Sequence, residues 1–278
     1  MRKFALVLSM TIAALVPAIG QTIPQRVASI NLCTDQLLLT LADPGQIASL
    51  SPFARDPSLS FLAESAKNFP QNRGTGENIV ALDADLVLTG GFDGTYTRAL
   101  LATEGVAFDI VQPWSDFKTG EAALQALARR LGHPERGAAL VGAIEAALAK
   151  VRGAASHVTA PRTSLVLQRR GYVFHAGLTA EIAEIAGLHD AAPTMGVSKA
   201  AFVSLEALVA AHPDYLIVSD SDARPEDEGS ALLAHPALEG LYPQGRRLVA
   251  PDRLAICEGP STPVLIEALG DEIRAKVR

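Results

Sequence analysis

Short apolar runs alternate with amphipathic stretches along most of the chain. The runs are typical of buried strands, and the stretches between them place apolar residues at helical spacing. The predicted strands cover residues 26–30, 46–49, 86–89, 107–111, 164–168, 215–219 and 247–250. The predicted helices cover residues 34–41, 98–104, 179–186, 205–211 and 263–269. This alternation predicts βα units with mainly parallel sheets, which is an α/β fold.

The middle of the chain is predicted to be helical throughout. A helical tract begins near residue 118, is interrupted before Pro134 and then continues without a helix breaker. Proline suits the first turn of a helix, because its missing N–H would have no partner there. The expected organisation is an N-terminal lobe, a connector helix and a C-terminal lobe, over residues 26–134, 135–155 and 160–278. A continuous connector helix resists bending, so we expect only limited lobe movement.

One segment occurs in both predicted lobes. Residues 77–88 (ENIVALDADLVL) and 206–217 (EALVAAHPDYLI) align at one constant offset, without a gap. Each copy is a short helix, a turn that ends in aspartate, and an apolar strand. Thr75 and Ser204 precede the two glutamates at equivalent positions suited to helix N-caps. The repeat predicts two structurally related lobes.

The N-terminus has the pattern of an export signal. Basic residues 2–3 precede an apolar run over 4–16, and small residues follow up to Gly20. These are the parts of a cleaved secretory signal, and the apolar run is too short to span a bilayer. We expect cleavage near Gly20 and a mature chain in the periplasm, without a lipid anchor because no cysteine follows the cleavage position. The formal net charge of -6 provides no basic surface for nucleic acid.

The segments described above resemble the class III periplasmic binding proteins, which bind cobalamin, ferric siderophores and haem. Residues 26–51 are similar to that family's opening strand, loop, helix and strand. Residues 77–91 and 204–220 are similar to its recurring helix–strand segment, once in each lobe. The similarity covers essentially all of the mature chain. It implies two Rossmann-like lobes with mainly parallel sheets, joined by a single long connector helix.

The resemblance also implies a function. Such a protein captures a metal chelate between its lobes and delivers it to the permease subunits of an ABC importer, as a monomer without catalysis or a resident cofactor. In the family, one surface glutamate on each lobe docks into an arginine-rich pocket of the membrane subunits. Glu77 and Glu206 hold those positions here. The alternative is that both carboxylates only complement a helix N-terminus.

Residues at the carboxyl ends of the strands are the candidates for ligand contact, because ligands of open α/β sheets bind there. The set mixes aromatic faces with polar anchors, as a bulky chelate requires. It comprises Asn31, Cys33, Thr34, Phe53, Arg55, Gly91, Phe92, Trp114, Arg169, Tyr172, Phe174, His175 and Cys257. Trp114 is equally suited to capping the core. At most one of Arg169 and Arg170 should reach the ligand, because neighbours in an extended segment point opposite ways.

The ligand is expected to be an iron–siderophore type chelate, because the arginines suit an anionic complex. Cobalamin and haem are the alternatives within the family. A dedicated zinc or manganese site is not expected, because His133, His212 and His235 directly precede proline and only His175 is placed near the candidate cleft. A periplasmic sensor and a cysteine-dependent enzyme are further alternatives, although no histidine stands in a motif that would partner Cys33.

The two cysteines, Cys33 and Cys257, follow the first strand of one lobe and the last strand of the other. An exported chain with an even cysteine count favours a disulfide, which would join the lobes. Such a bridge would conflict with capture of a bulky ligand unless it lies at the cleft floor. The alternatives are a pair of thiolate ligands for a metal and two separately buried thiols.

Overall fold

The computed structural model describes residues 22–155, 160–175, 177–220 and 232–277. In these ranges two α/β lobes lie on either side of one long helix, and the predicted fold class is confirmed. The predicted export signal over residues 1–20 lies outside the described residues. None of the helices described is both long and apolar enough to cross a membrane.

The N-terminal lobe is built on a parallel sheet with strand order β2-β1-β3-β4. Its strands are β1 (Val27–Ser29), β2 (Ile47–Ser49), β3 (Leu86–Gly90) and β4 (Phe108–Val111). All of β3 is buried, as expected for a central strand covered on both faces, whereas β4 forms a partly exposed edge. The surrounding helices are α1 (Leu32–Leu41), α2 (Ala63–Ala66), α3 (Gly76–Val80), α4 (Thr95–Thr103) and α5 (Phe117–Arg130).

Side-chain caps fix the turns that lead from strands into helices at the carboxyl end of this sheet. The Asn31 side chain accepts hydrogen bonds from the backbone N–H groups of Cys33 and Thr34, where α1 begins. The Asp116 carboxylate accepts one from the backbone N–H of Thr119 at the start of α5. Because a capped helix begins at a defined residue, the loops between strand and helix are held in place.

The long helix α6 (Pro134–Ala155) corresponds to the predicted connector. One stripe of its surface is buried, at the spacing expected of a helix: Val141, Ile144, Ala147, Leu148 and Val151. It packs against α1 and α5 on one side and against α7 (Leu178–Ile185) and α11 (Thr262–Lys276) on the other. The main hydrophobic core therefore runs from one lobe through α6 into the other.

The C-terminal lobe has a mixed sheet with strand order β10-β9-β5-β6-β8. Strand β7 pairs parallel with the first half of β5, and β6 pairs with the second half. Its strands are β5 (Arg162–Gln168), β6 (Tyr172–Phe174), β7 (Leu188–Asp190), β8 (Ala200–Phe202), β9 (Tyr215–Ser219) and β10 (Arg247–Ala250). The remaining helices are α8 (Leu205–Ala211), α9 (Pro236–Leu241) and α10 (Asp252–Ala255). Strand β6 pairs antiparallel with both β5 and β8, so this sheet departs from the purely parallel pattern of the first lobe.

The repeat predicted from the sequence is confirmed in the backbone. Asp83 and His212, at equivalent positions, both adopt left-handed conformations, with φ of 48° and 46°. Such a conformation is uncommon for a residue other than glycine. Asp85 accepts hydrogen bonds from the two backbone N–H groups just before β1, and Asp214 accepts one from the backbone N–H of Thr163 in β5. In each lobe the repeated aspartate therefore ties the start of one strand to that of its neighbour.

Candidate ligand-binding cleft

The carboxyl ends of strands from both sheets border a cleft between the lobes. It has two parts, which we name after the Asn31–Asp93 hydrogen bond in the wall of the first and the aromatic rings of the second. The polar compartment, of about 240 Å³, lies mainly on the N-terminal lobe. The aromatic compartment, of about 570 Å³, lies mainly on the C-terminal lobe. The side chain of Ile256 lines both compartments and is 48% exposed.

The polar compartment gathers six of the predicted cleft residues: Asn31, Cys33, Thr34, Gly91, Phe92 and Trp114. Asp93 orders its wall, because its carboxylate accepts hydrogen bonds from Asn31 Nδ2 at 3.1 Å and from the backbone N–H of Gly90 at 2.6 Å. These bonds join the loop after β1 to the loop after β3. Gly91 leaves room for the Gln112 side chain, since a Cβ at Gly91 would lie 2.2 Å from the Gln112 side-chain oxygen and would displace it.

The aromatic compartment is lined by rings on the antiparallel strands β6 and β8. Tyr172 and Phe202 are directly paired across these strands, and their ring centroids lie 4.8 Å apart. Phe174, also predicted as a cleft residue, lines neither compartment and instead contacts the Tyr172 ring edge-on at 4.7 Å. The Phe202 side chain is nevertheless 70% exposed. Tyr172 and Phe202 thus form an aromatic shelf at the cleft that is accessible to a ligand.

Arg169 and Arg170 both line the aromatic compartment, although the sequence suggested that only one would reach it. They form a tight turn between β5 and β6 in which Arg170 adopts a left-handed conformation with φ of 59°. The extended geometry assumed from the sequence does not apply to such a turn. Two arginines consequently line the same compartment as Tyr172 and Phe202.

Cys33 and Cys257 form a disulfide, with their Cα atoms 5.1 Å apart and a sequence separation of 224 residues. The predicted bridge between the lobes is confirmed. It lies at the polar compartment, where Cys33 contributes to the lining, while Cys257 is 1% exposed. Because a disulfide sulfur is not a thiolate, neither the thiolate-ligand alternative nor a Cys33 nucleophile fits the structure.

Trp114 is buried behind the polar compartment and also contacts it. A Cβ at Gly120, in the first turns of α5, would lie 2.0 Å from the Trp114 ring, so a glycine is needed for the ring to pack there. Glu258, which belongs to the other lobe, also lines this compartment. Burial raises the pKa of Glu258, although its own backbone N–H and that of Trp114 act in the opposite direction.

Some predicted cleft residues lie elsewhere. The Arg55 guanidinium donates to the backbone carbonyl oxygens of Phe69 at 2.6 Å and Ala66 at 3.4 Å, so it braces its own loop. Phe53 is 55% exposed but lines neither compartment. His175 Nδ1 lies 2.8 Å from an Asp190 carboxylate oxygen, also outside both compartments. Within the described ranges, histidine, cysteine and acidic side chains form no group of three or more that could hold a metal ion.

Several lining residues were missed by the sequence reasoning, notably Ile256, Phe202, Asp93 and Gln112. Asp93 lies one residue beyond Phe92, which the strand-end rule selected, whereas Gln112 lies between the predicted strand 107–111 and the selected Trp114. Selecting every polar residue of the loop after each strand would have found both. Phe202 lies on a strand that was not predicted, and Ile256 follows the short helix α10.

The two candidate docking glutamates have closely similar surroundings. Glu77 lies in the first turn of α3, whose N-cap Thr75 accepts from a backbone N–H at 3.4 Å. Glu206 lies in the first turn of α8, whose N-cap Ser204 accepts from one at 3.2 Å. Both side chains are exposed. The backbone N–H of Glu206 itself, followed by Ser204, lowers the pKa of the Glu206 carboxyl and keeps it ionised.

Two α/β lobes around a rigid helix, with strand ends facing a cleft, define a solute-binding protein of the class III type. The sequence model described as "Periplasmic binding protein" matches residues 27–243. The chain belongs to this family, whose members are substrate-binding proteins that work with ABC importers.

Solved structures show the same fold. The periplasmic haem-binding protein RhuT from Roseiflexus sp. RS-1 is 25% identical, with a TM-score of 0.73 over 91% of this chain and 99% of that one. A periplasmic haem-binding protein from Pseudomonas aeruginosa is 20% identical, with a TM-score of 0.71 over 92% and 94%. An ABC-type Fe3+-hydroxamate transport system protein from Saccharomonospora viridis DSM 43017 is 19% identical, with a TM-score of 0.67 over 90% and 92%. No curated protein matches the sequence significantly.

Proposed function

We propose that this chain is the periplasmic substrate-binding protein of an ABC importer, and that it captures an iron chelate in the cleft between its lobes. The aromatic compartment is the observation that carries this proposal. A phenylalanine that is 70% exposed beside a tyrosine and two arginines is suited to a ligand with an apolar face and anionic groups. The protein acts as a monomer and releases the chelate unchanged to the permease.

Two kinds of iron chelate suit this cleft. The arginines Arg169 and Arg170 suit the acidic groups of a siderophore complex, as the sequence suggested. The shelf of Tyr172 and Phe202 favours haem as a second candidate, because a porphyrin offers a flat face for stacking and carboxylates for the guanidinium groups. The 25% identity to a haem-binding protein over nearly its whole length supports the same candidate. Cobalamin is the third possibility within the family.

A titration of the purified mature chain tests the proposal. Hemin, an iron(III) trihydroxamate and cyanocobalamin are added separately, and binding is followed by ligand absorbance and by quenching of Trp114, the only tryptophan. We expect one of the two iron chelates to bind in a one-to-one ratio and to quench Trp114, which borders the polar compartment. The proposal is wrong if no iron chelate binds, or if a bound chelate is chemically altered on recovery.

The periplasmic location is tested by the mass of the protein recovered after expression in a bacterial host. We propose that the chain is exported and cleaved near Gly20. The recovered periplasmic protein should then begin within a few residues of Gln21. An uncleaved chain that remains in the cytoplasm would contradict the proposal.

A further inference from the structure

The segment of residues 256–258 belongs to the C-terminal lobe but contributes to both compartments of the cleft. Ile256 lines the polar and the aromatic compartment, and Glu258 lines the polar one. Cys257, between them, is bonded to Cys33 at the start of α1. The chain has only two cysteines, so this is its one possible internal disulfide. Ile256 and Glu258, the sequence neighbours of Cys257, are therefore held to the opposite lobe by this bond.

Other contacts of this segment are weaker than a covalent bond. Residues 256–261 lie between α10 and α11 without forming a helix or strand. The Ser261 hydroxyl donates to the Cys257 carbonyl oxygen at 2.9 Å, a bond within the segment itself. Toward the other lobe, Gly259 packs against Leu37. Without the disulfide, apolar packing of this kind remains to hold the segment against the N-terminal lobe.

We infer that the Cys33–Cys257 disulfide positions Ile256 and Glu258 for ligand binding, so that the cleft binds tightly only when this cysteine pair is oxidised. This inference rests on the proposed function, because it assigns a regulation to the same cleft. A wall that is held in its bound position before the ligand arrives loses less conformational entropy on binding. The bond also explains how a bridge between lobes is compatible with a bulky ligand, because it forms part of the cleft wall and leaves the aromatic shelf uncovered.

The redox step is an ordinary thiol–disulfide exchange. A disulfide-bearing oxidant protein of the periplasm accepts one cysteine as a mixed disulfide, and the second cysteine then displaces it. The Cys33 and Cys257 thiols lose two protons and two electrons in total, and the oxidant leaves as a dithiol. Because cytosolic thiols are kept reduced, the chain would acquire its tight cleft only after export. The cytoplasmic precursor would then not sequester iron chelates before it reaches its compartment.

Two measurements test the inference on the mature chain. Hemin and an iron(III) trihydroxamate are titrated into the oxidised protein and into the Cys33→Ser, Cys257→Ser double variant, which avoids added reductant. We expect roughly tenfold weaker binding of whichever probe binds the oxidised form, because the cleft wall is no longer held in place. Thermal unfolding of both proteins establishes an assay temperature at which each is folded. Equal affinities, within about twofold, would overturn the inference.

Hydrogen exchange provides a readout that needs no ligand. The backbone N–H of Gly259 in the disulfide-held segment donates to the Thr262 hydroxyl at 2.9 Å, whereas that of Phe117 donates to Glu181 on α7 at 3.0 Å. In the double variant, exchange at Gly259 should accelerate while exchange at Phe117 stays unchanged. If the oxidised protein binds neither probe, the proposed ligand class fails, but this comparison still decides whether the disulfide positions the segment. Unchanged exchange at Gly259 would overturn the inference in that case as well.

Glu258 offers a matched pair of variants in the presence of the disulfide. Glu258→Gln keeps the size and an accepting oxygen of the side chain, whereas Glu258→Ala removes both. We expect the glutamine variant to bind nearly as the parent protein does, and the alanine variant to bind more weakly, because Glu258 lines the polar compartment. An alanine variant that binds as tightly as the parent protein would contradict the role of Glu258 in the cleft wall.

Discussion

The two lobes share one structural plan around Glu77 and Glu206 and differ at the cleft. Both contain a short capped helix with a glutamate in its first turn, a left-handed turn residue and an aspartate that ties two strand starts together. The N-terminal lobe stops at four parallel strands, whereas the C-terminal lobe adds the antiparallel strands β6 and β8. The added strands carry the aromatic shelf. Shared geometry therefore suits a two-fold partner, and the difference between the lobes creates the chemical asymmetry of the cleft.

The largest expected effect tests the shared plan. Glu77→Arg and Glu206→Arg, made separately, should each abolish uptake of the ligand by cells that carry the importer, while ligand affinity stays within about twofold. Charge reversal at an exposed contact acts on the partner, because neither side chain lines the cleft. Glu104→Arg is a control, since Glu104 is an exposed glutamate at the C-terminal end of α4 and does not lie in a first helical turn.

Uptake and affinity together separate the possible outcomes for these docking variants. If only one glutamate matters, the lobes do not contribute equally to docking despite their similar geometry. If both variants lose ligand affinity in proportion to uptake, the glutamates act through the cleft or the fold. If Glu104→Arg abolishes uptake equally, the effect is one of general surface charge.

The lobes also differ in how they bury a carboxyl group. Asp35 on α1 is fully buried and accepts from Ser51 through its backbone N–H at 2.8 Å and its hydroxyl at 2.5 Å. Burial raises the pKa of Asp35 to about 6, although these hydrogen bonds act in the opposite direction. In the C-terminal lobe the buried side chain of Asp190 has His175 as a partner instead.

The raised pKa makes stability depend on pH with a definite sign. The folded state binds the Asp35 proton more tightly than the unfolded chain does, in which the pKa of Asp35 has its ordinary value of 3.8. The stabilisation of the folded state by this protonation is therefore complete below pH 3.8. It is lost as the pH rises to about 6, and roughly two pKa units correspond to about 3 kcal/mol. Asp35→Asn should remove this contribution. Denaturant unfolding at about pH 4 and about pH 7 gives the free energy of unfolding of the variant and of the parent protein. The difference between these two free energies should change between the two pH values. An unchanged difference would show that Asp35 does not titrate in this range.

The next prediction tests the asymmetry of the cleft. Phe202 lies two residues before the N-cap Ser204, and the equivalent position before Thr75 is occupied by Arg73, which is also exposed. Phe202→Ala should weaken chelate binding by roughly 10- to 100-fold, because covering a phenylalanine ring contributes about 1.5–3 kcal/mol. Arg73→Ala should leave affinity unchanged. Titration of both variants with the bound chelate measures the contrast, and equal effects would remove the case for a binding shelf confined to one lobe.

The fold and the site were predictable from the sequence to different degrees. Strands of the repeat were found because their apolar runs are long enough to show a period. Strands β6, β7 and β8 were missed, but not because they have only three residues, since β1 and β2 are equally short. Neither β6 nor β8 directly follows an α-helix, so both lie outside the alternation of strands and helices on which the prediction relied. That omission affected the site, because β6 runs opposite to β5. His175 follows the end of β6 that points away from the cleft, so the strand-end rule selected it for the wrong reason.

Long-range placement accounts for the remaining differences. The cysteine pair was predictable from export and an even cysteine count, but its place in the cleft wall depends on how the lobes pack around α6. Arg55 was selected for its charge, yet its loop folds back so that the guanidinium group donates its hydrogen bonds to backbone carbonyl oxygens. Such local competition for hydrogen bonds depends on the path of a loop, which apolar periodicity does not encode.

The smallest predicted effect compares the first helices of the two lobes, α1 and α7. Their fifth residues are Gln36 and Ile182, and both are fully buried. Ile182 packs in the main core, whereas neither polar atom of the Gln36 side chain has a hydrogen-bond partner among the residues that the structure describes. A buried amide without a partner costs about 1–3 kcal/mol relative to an apolar group of similar shape. Gln36→Met should therefore raise the free energy of unfolding by about 1 kcal/mol or more.

Asn72 provides the matched control, because it is also a buried amide of the N-terminal lobe. Its Nδ2 donates to the Ser29 carbonyl oxygen at 2.7 Å and the Ser49 hydroxyl at 3.0 Å. Asn72→Leu should therefore lower the free energy of unfolding, in contrast to Gln36→Met, and denaturant unfolding measures both. If Gln36→Met instead lowers stability as Asn72→Leu does, the amide of Gln36 has a stabilising partner such as a buried water. The buried residues Gln36 on α1 and Ile182 on α7 would then both stabilise their lobes, Gln36 through polar contacts and Ile182 through apolar contacts.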